Sequence, residues 1–324
     1  MKLLALLSGG LDSTLALKIA QNLGFEVEAV HFSTPFCRCD SCSVNAGAQQ
    51  FGVKVSHVFL GQEFLDLVVD PPHGRGSQMN ICLDCRILML RKAKELSREI
   101  GAQFLVTGEV LDERPFSQRL HSMMLIEREA GVEGMVLRPL SGRLLPDTEL
   151  EKMGLVRKED LYSIHGRRRL PQFQLAEEFG LKDYPCPSGG CLLTDPAFAK
   201  RLREHLAHER RLTIRDAILL TLGRHFRVGS AKIVVGRNEQ ENDALLAIAE
   251  RDEVPLMSVV DYMGPNTLII GSTDQDTMKT AAAITVRYSD APKDGPTEVK
   301  CSKMNLGSLF IEAIGDDGFN KILV

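Results

Sequence analysis

The stretch Leu3-Leu4-Ala5-Leu6-Leu7-Ser8-Gly9-Gly10-Leu11-Asp12-Ser13 decides how this chain folds. Its first five residues are wholly apolar, the pattern of a parallel strand buried on both faces. A Ser-Gly-Gly turn follows, and Leu11, Leu15, Ile19 and Leu23 then recur at helical spacing until Gly24 supplies a stop. Strand, Gly-rich turn and helix N-terminus in that order form an anion site, because exposed backbone N–H groups and the helix dipole both favour phosphate. Gly9 and Gly10 let the backbone approach closely, and Ser8 and Ser13 offer hydroxyl donors. Asp12 would repel phosphate directly and is better suited to hold a Mg2+ that bridges the phosphates. The loop lacks the lysine of a Walker sequence and the spacing of a dinucleotide fingerprint, which argues against an ordinary P-loop NTPase or a Rossmann dehydrogenase.

Working outward, residues 26–32 read as the next strand, 44–51 as helix, 53–59 as strand, 87–100 as a basic amphipathic helix and 103–107 as another buried strand. This alternation predicts an α/β domain with a doubly wound parallel sheet. Ligands in such sheets bind at the carboxyl ends of strands, where the loops at Ser8, Cys37 and Thr107-Gly108-Glu109 would lie. A Pro/Gly/Arg-rich passage runs from 138 to 146, and helical patches with basic residues fill 149–179. Residues 198–222 read as helices, and 232–235, 256–260 and 267–270 as strands, so the chain ends in a separate α+β domain. The expected division is 1–165 for the nucleotide domain, 166–200 for a cysteine-bearing connecting segment and 201–324 for the α+β domain.

The apolar N-terminal run ends at Ser8 without a small-residue cleavage site, too short for a signal peptide. No other stretch approaches the roughly 20 apolar residues of a membrane span. The expected compartment is therefore the cytoplasm and no membrane partner is expected. In a reducing compartment the eight cysteines read as metal ligands or reactive thiols rather than disulfides. They fall into Cys37/Cys39/Cys42, Cys82/Cys85, the looser pair Cys186/Cys191, and an isolated Cys301 that reads as a core residue. The net charge of −4 hides a basic middle: residues 156–232 carry 15 Lys and Arg against 9 Asp and Glu. Such a segment suits either a phosphate-binding footprint or a solvated helix surface.

Ser8-Gly-Gly-Leu-Asp-Ser13 resembles the signature of the PP-loop ATP pyrophosphatases, adenine nucleotide alpha hydrolase-like enzymes that cleave ATP to AMP and pyrophosphate. That resemblance implies ATP binding by Ser8, Gly9, Gly10, Asp12 and Ser13, with Phe32 near adenine and Gly108 lining the nucleotide pocket. Asn80-Ile-Cys82-Leu-Asp-Cys85-Arg86, then Thr107-Gly108-Glu109, then Pro187-Ser-Gly-Gly-Cys191-Leu are similar to the motifs of tRNA thiouridine synthases of the 2-thiouridylase and 4-thiouridine synthase type. The resemblance covers roughly residues 1–200. It implies an ATP-dependent tRNA sulfurtransferase that adenylates a uridine carbonyl and replaces its oxygen with sulfur, with Asp12, Cys82, Cys85 and Cys191 as catalytic residues.

The chemistry is consistent on its own terms. A carbonyl oxygen is a poor leaving group, whereas its adenylate leaves as AMP and exposes the carbon to sulfur. A thiol must deliver that sulfur, as a persulfide that a second cysteine resolves or on a metal–sulfur centre, and the donor itself is a persulfide carrier or sulfide. Cys191, on a Gly-rich turn that would open toward a helix, is expected to have a lowered thiol pKa. Cys82, Cys85 and Cys191 as metal ligands offer three thiolates to an iron–sulfur (4Fe-4S) cluster, which in cluster-dependent relatives leaves one iron open; zinc is the competing metal, since CxxC suits it too. Cys37/Cys39/Cys42 stays open between a second metal site, a sulfur relay and buried small residues, with His31, His57 and His73 the nearest fourth ligands in sequence. Cys186 could substitute for Cys191 or resolve its persulfide.

Residues 228–243, including Gly236-Arg237-Asn238, resemble the NFACT-R type of RNA-binding domain. That implies phosphate or sugar contacts from Lys232, Arg237 and Asn238. Arg201, Arg203, Arg210, Arg211 and Arg215, and the separate cluster Arg167-Arg168-Arg169, are further candidates to follow an RNA backbone. tRNA and a sulfur donor are the expected partners; the target nucleotide and oligomeric state are not encoded in any motif. Two other readings stand beside this one: a PP-loop sulfurtransferase acting on a small-molecule carboxylate or cofactor precursor, and a non-catalytic metal–sulfur or RNA-binding protein.

Overall fold

The computed structural model describes residues 1–38, 44–45, 48–181, 190–302 and 308–324. Cys39, Cys42, Cys186 and residues 187–189 of the last cysteine motif lie outside the described residues. The chain divides into two compact units, Met1–Ala199 and Lys200–Val324.

In the first unit, β1 (Lys2–Leu6) leads into α1 (Leu11–Asn22), followed by β2 (Glu26–Ser33), β3 (Val55–Phe59), α2 (Gln62–Val69), α3 (Cys82–Glu99), β4 (Phe104–Thr107), α4 (Leu120–Ala130), β5 (Val136–Leu137) and α5 (Leu170–Glu178). The strands form one sheet in the order β3-β2-β1-β4-β5, and every pairing is parallel. The apolar run 3–7 thus becomes the central strand, as expected of a doubly wound sheet. Chain order reverses between β1 and β4, and there the two carboxyl ends open a crevice.

α1 is buried on two sides. Ala16, Leu17 and Ala20 pack with Leu3 and Ala5 of β1, whereas Leu11, Leu15 and Ile19 pack against Ile164, Leu175, Ala176 and Leu181. Truncating a fully buried leucine of this kind costs about 2–5 kcal/mol. Residues beyond 165 therefore help to enclose the helix that follows the Ser8–Ser13 loop. α3 begins at Cys82, five residues before the expected start at Ile87, so the CxxC occupies its first turn.

α6 (Pro196–His208), in which the division falls, precedes α7 (Ile214–Thr221), β6 (Arg224–Val228), β7 (Ala231–Val235), α8 (Glu239–Asp252), β8 (Leu256–Val259), β9 (Thr267–Ile270), α9 (Gln275–Arg287), β10 (Thr297–Ser302), β11 (Leu309–Ile311) and α10 (Asp316–Ile322). The second sheet has the order β11-β10-β8-β9-β7-β6 with antiparallel pairs. Three of these strands were expected; β6 and β10, interspersed with charge, and β11, only three residues long, were not. Cys301 packs, partly buried, against the core of this sheet. Among the described residues no helix is long and apolar enough to cross a membrane.

Candidate functional site

Between β1 and α1, Gly9 has φ 79°, a left-handed conformation that favours glycine. Gly10 is the N-cap of α1 and provides no side-chain cap to the first-turn N–H groups, the condition under which an anion can take them. The serines stiffen the turn: Ser8 N donates to Ser13 Oγ at 3.2 Å, the two hydroxyls lie 3.1 Å apart, and Ser13 Oγ donates to Gly10 O at 2.9 Å. Gly108 is seated on this turn. A Cβ there would stand 2.4 Å from Asp12 C and Ser13 N, so only glycine lets β4 end against the loop. Its place is under the loop backbone.

Asp12 Oδ2 accepts from Arg169 at 2.7 Å, while Oδ1 is buried without a hydrogen bond of normal length. Burial raises the Asp12 carboxyl above its ordinary value, against the pull of Arg169. Glu113 is raised too, by burial and by the Asp12 charge, and Arg169 Nε lies 3.8 Å from its carboxylate. Arg169, a candidate to follow RNA, is paired with Asp12 of the loop and lies close to Glu113. A buried, partly unpartnered carboxylate beside a second acid fits a hard cation such as Mg2+.

Beside the loop lies a cleft of about 190 Å3. Ser8, Phe32, Cys37, Asn80, Cys82, Cys85, Arg86, Arg114 and Cys191 all line it. The four cysteines arrive by two local constructions, a helix start and an isolated strand bridge. Asn80 donates to Cys82 Sγ at 3.3 Å, and Gly76 makes room for the Asn80 amide, since a Cβ there would stand 2.2 Å from its Nδ2. Cys85 follows one turn into α3. Residues 36–38 and 190–192 come together through an isolated antiparallel bridge, Cys37 to Cys191.

The expected depression of the Cys191 pKa is corrected by its surroundings. Burial pushes its thiol up to about 11, with Cys82 and Cys37 adding to the rise and Arg114 opposing it. The element that adjoins Cys191 is a single 3-10 turn, Leu192–Thr194, too short to supply the expected helix dipole, and α6 begins only at Pro196. Cys85 goes up to about 12 through burial, against Arg86 and with the other three thiols adding. Such thiols stay neutral near pH 7 until a cation offsets their ionised form.

Behind the cleft a buried charge network steadies Arg86. Glu109, 2% exposed, lies 3.4 Å from Arg86 Nε and 2.9 Å from Arg138 Nε, and Arg138 also binds Glu127. Burial alone would raise Glu109, but Arg138 and Arg86 outweigh it and hold the carboxyl low. Arg86 and Glu109 stood inside motifs, whereas Arg114, Arg138 and Glu127 carried no signal; Arg138 had been read within an irregular passage.

Cys37 joins the three expected thiols, and His31 lines the same cleft. His31 Nδ1 lies 2.9 Å from Leu7 O, and burial lowers its pKa. The other candidate histidines have their own partners: His57 contacts Asn45 at 2.9 Å and His73 pairs with Asp84 at 2.7 Å. Among the described residues, no three His, Cys, Asp or Glu side chains are arranged around a single metal ion.

In the second unit Arg203, Arg210 and Arg211 are exposed and Arg201 is half-buried. Lys232 is only 7% exposed, and burial lowers its ammonium to about 8. That corrects its assignment as a surface phosphate contact. Asn238 caps α8 through Glu241 N, Arg237 is ion-paired with Glu241, and Arg215 with Asp252.

Known proteins match both units. Residues 1–146 match the family model described as thiamine biosynthesis protein (ThiI). The resemblance drawn from the motifs holds. Residues 223–313 match a second model, NFACT protein RNA binding domain. A protein named probable tRNA sulfurtransferase from Staphylococcus aureus strain MRSA252 is 32% identical over 145 residues, which are 43% of this chain and 34% of that protein. A homologue of the same name from strain Newman matches to the same extent. The chain thus spans about a third of the length of these probable tRNA sulfurtransferases. A 4-thiouridine synthetase–RNA complex with bound ATP is 22% identical, covering 67% of this chain and 53% of that one, with a TM-score of 0.35. The U34-tRNA thiolase NcsA from Methanococcus maripaludis, with its 4Fe-4S cluster, is 16% identical over 67% and 70% of the two chains, with a TM-score of 0.33. At those scores neither structure carries an argument; the fold stands on its own strand order.

Proposed function

We propose that this chain is an ATP-dependent tRNA sulfurtransferase, releasing AMP and pyrophosphate as a uridine oxygen is replaced by sulfur. The observation that carries this reading is a single cleft lined by Ser8 of the phosphate loop, Phe32, and the thiols of Cys82, Cys85 and Cys191. Activation and sulfur delivery need the same carbon, so the groups that perform them must share one space. Residues 8–13 would hold the phosphates, Phe32 the adenine, and Asp12 a Mg2+ that neutralises them. Arg86 and Arg114 would draw the thiols toward their reactive form.

Three thiols facing one cleft, two of which (Cys85 and Cys191) are held neutral by burial that outweighs the pull of a nearby arginine, fit a soft metal–sulfur group. Cys82, Cys85 and Cys191 would hold a 4Fe-4S cluster, which when bound supplies an iron-borne sulfur for transfer. The RNA-binding family match over residues 223–313 favours a nucleic-acid substrate over a small molecule, with Arg201, Arg203, Arg210 and Arg211 supplying the charge. The place of action on this reading is the cytoplasm, where ATP and tRNA are found.

The test is pyrophosphate release with and without tRNA, followed by nucleoside analysis of the tRNA. Pyrophosphate release stimulated by tRNA, with a thiolated uridine appearing, is the expected result. tRNA-independent turnover would transfer the reading to a small-molecule acceptor, and absence of turnover with a competent sulfur donor would sink it.

A further inference from the structure

Residues 36–38 run antiparallel to residues 190–192. Phe36 O accepts from Leu192 N at 2.9 Å and Gly190 O accepts from Arg38 N at 3.1 Å, with Cys37 facing Cys191 between them. Flanked by these bonds rather than joined by them, the cysteines form a non-hydrogen-bonded antiparallel pair. In such pairs opposed Cα atoms approach to about 4.5 Å, within the roughly 4.4–6.8 Å over which two cysteines can be bridged. Side chains directly opposed on paired strands share a face, and both of these line the cleft. Cys82 and Cys85 sit instead on the first turn of α3, with Cys82 Sγ accepting from Asn80.

We infer that Cys37 is the resolving thiol of Cys191. When Cys191 carries a persulfide, Cys37 Sγ attacks Cys191 Sγ and a Cys37–Cys191 disulfide forms. The bond between Cys191 Sγ and the outer sulfur breaks, and that sulfur leaves as hydrosulfide, or stays on the substrate carbon if already bonded there. The two cysteine sulfurs together lose two electrons, the outer sulfur gains two, and the Cys37 proton passes to the departing sulfur or to solvent. A dithiol reductant returns the pair to thiols. The purpose of the step rests on the sulfur-transfer reading, although the pairing does not. A Cys191 sulfur joined to Cys37 is no longer a thiolate, so closure of the pair and iron binding at Cys191 exclude each other.

The test uses the full chain in a Cys186→Ser background, stripped with chelator and charged with inorganic polysulfide. After removal of excess reagent, hydrosulfide release is followed without tRNA, ATP or added thiol. Trypsin cleaves after Arg38 and separates Cys37 from Cys39 and Cys42, so the linked peptide names its cysteine. The expected result is about one equivalent of hydrosulfide with a Cys37–Cys191 peptide, as persulfide exchange requires. Cys37→Ser should slow release about tenfold or more and leave the persulfide on Cys191, because the attacking sulfur is gone. Cys301→Ser, in the second unit, should behave as the parent. A link from Cys191 to Cys82, Cys85 or the peptide holding Cys39 and Cys42 overturns the assignment, as does release that Cys37→Ser does not change. A chain that closes the pair yet never thiolates tRNA overturns the function and leaves the pair standing.

Discussion

The phosphate loop and the thiol cleft are neighbours built on opposite plans. The loop is six consecutive residues held by their own hydroxyls and one glycine beneath. The cleft gathers side chains from residue 6 to residue 193 and exists only once six separated stretches, around residues 6–8, 30–37, 64, 80–89, 114–117 and 190–193, have met. A site written contiguously is legible in the sequence; one assembled across the chain is not.

The contrast is broken most directly at Gly108. Gly108→Ala drives a Cβ into the Asp12–Ser13 backbone, where overpacking typically costs about 1–3 kcal/mol. Pyrophosphate release should fall to background and the melting temperature should drop; near-normal turnover would show that the loop can shift independently of β4. Asp12→Asn is expected to cut Mg2+-dependent pyrophosphate release by about a hundredfold, the scale of losing a preorganised electrostatic contact, with the fold preserved.

On the cleft side, Cys191→Ser and Cys82→Ala should abolish thiolation while ATP binding persists, the reverse of the loop variants. Anaerobic protein should carry about four irons and four sulfides per chain if the cluster is present, both lost in either variant; zinc in their place would redirect the reading to a zinc-held thiol set. A smaller effect is expected from pH. Cys85 and Cys191 are raised to about 12 and 11, so between pH 9 and 11 the folded chain keeps protons that the unfolded chain releases. Stability in metal-free protein should therefore be full below pH 9 and fall as pH rises through that window. Cys85→Ser should flatten the decline in a denaturant titration, and an unchanged slope would mean the thiol is not buried in solution. Smallest of all, Arg203, Arg210 or Arg211 to Ala should each reduce the salt slope of RNA binding by about one. Lys232→Met should leave it unchanged.

The same contrast explains what could be read beforehand. The strand, turn and helix over residues 2–22 follow from apolar spacing and two glycines. Three of the four thiols of the cleft stand in recognisable motifs, and the parallel sheet follows from alternation. Cys37 could not be placed, because its neighbour lies more than 150 positions away and is reached by one isolated bridge. The start of α3 is not legible in the sequence because Ile81, not a capping residue, precedes it. Lys232 reads as an RNA contact because a lysine beside a Gly-Ser turn implies a surface, and Arg138 reads without a role; only tertiary packing shows that both are interior.

The pairing of Asp12 with Arg169 has a consequence in charge balance. Asp12 and Glu113 face Arg169 and Arg114, two of each sign. Such a neutral quartet holds neither a lone cation nor a lone polyphosphate strongly. Together the two ligands can be accommodated by an exchange of partners, the metal taking carboxylates and the phosphates taking guanidiniums. On the proposed function, the loop thereby selects the metal–nucleotide complex over either component.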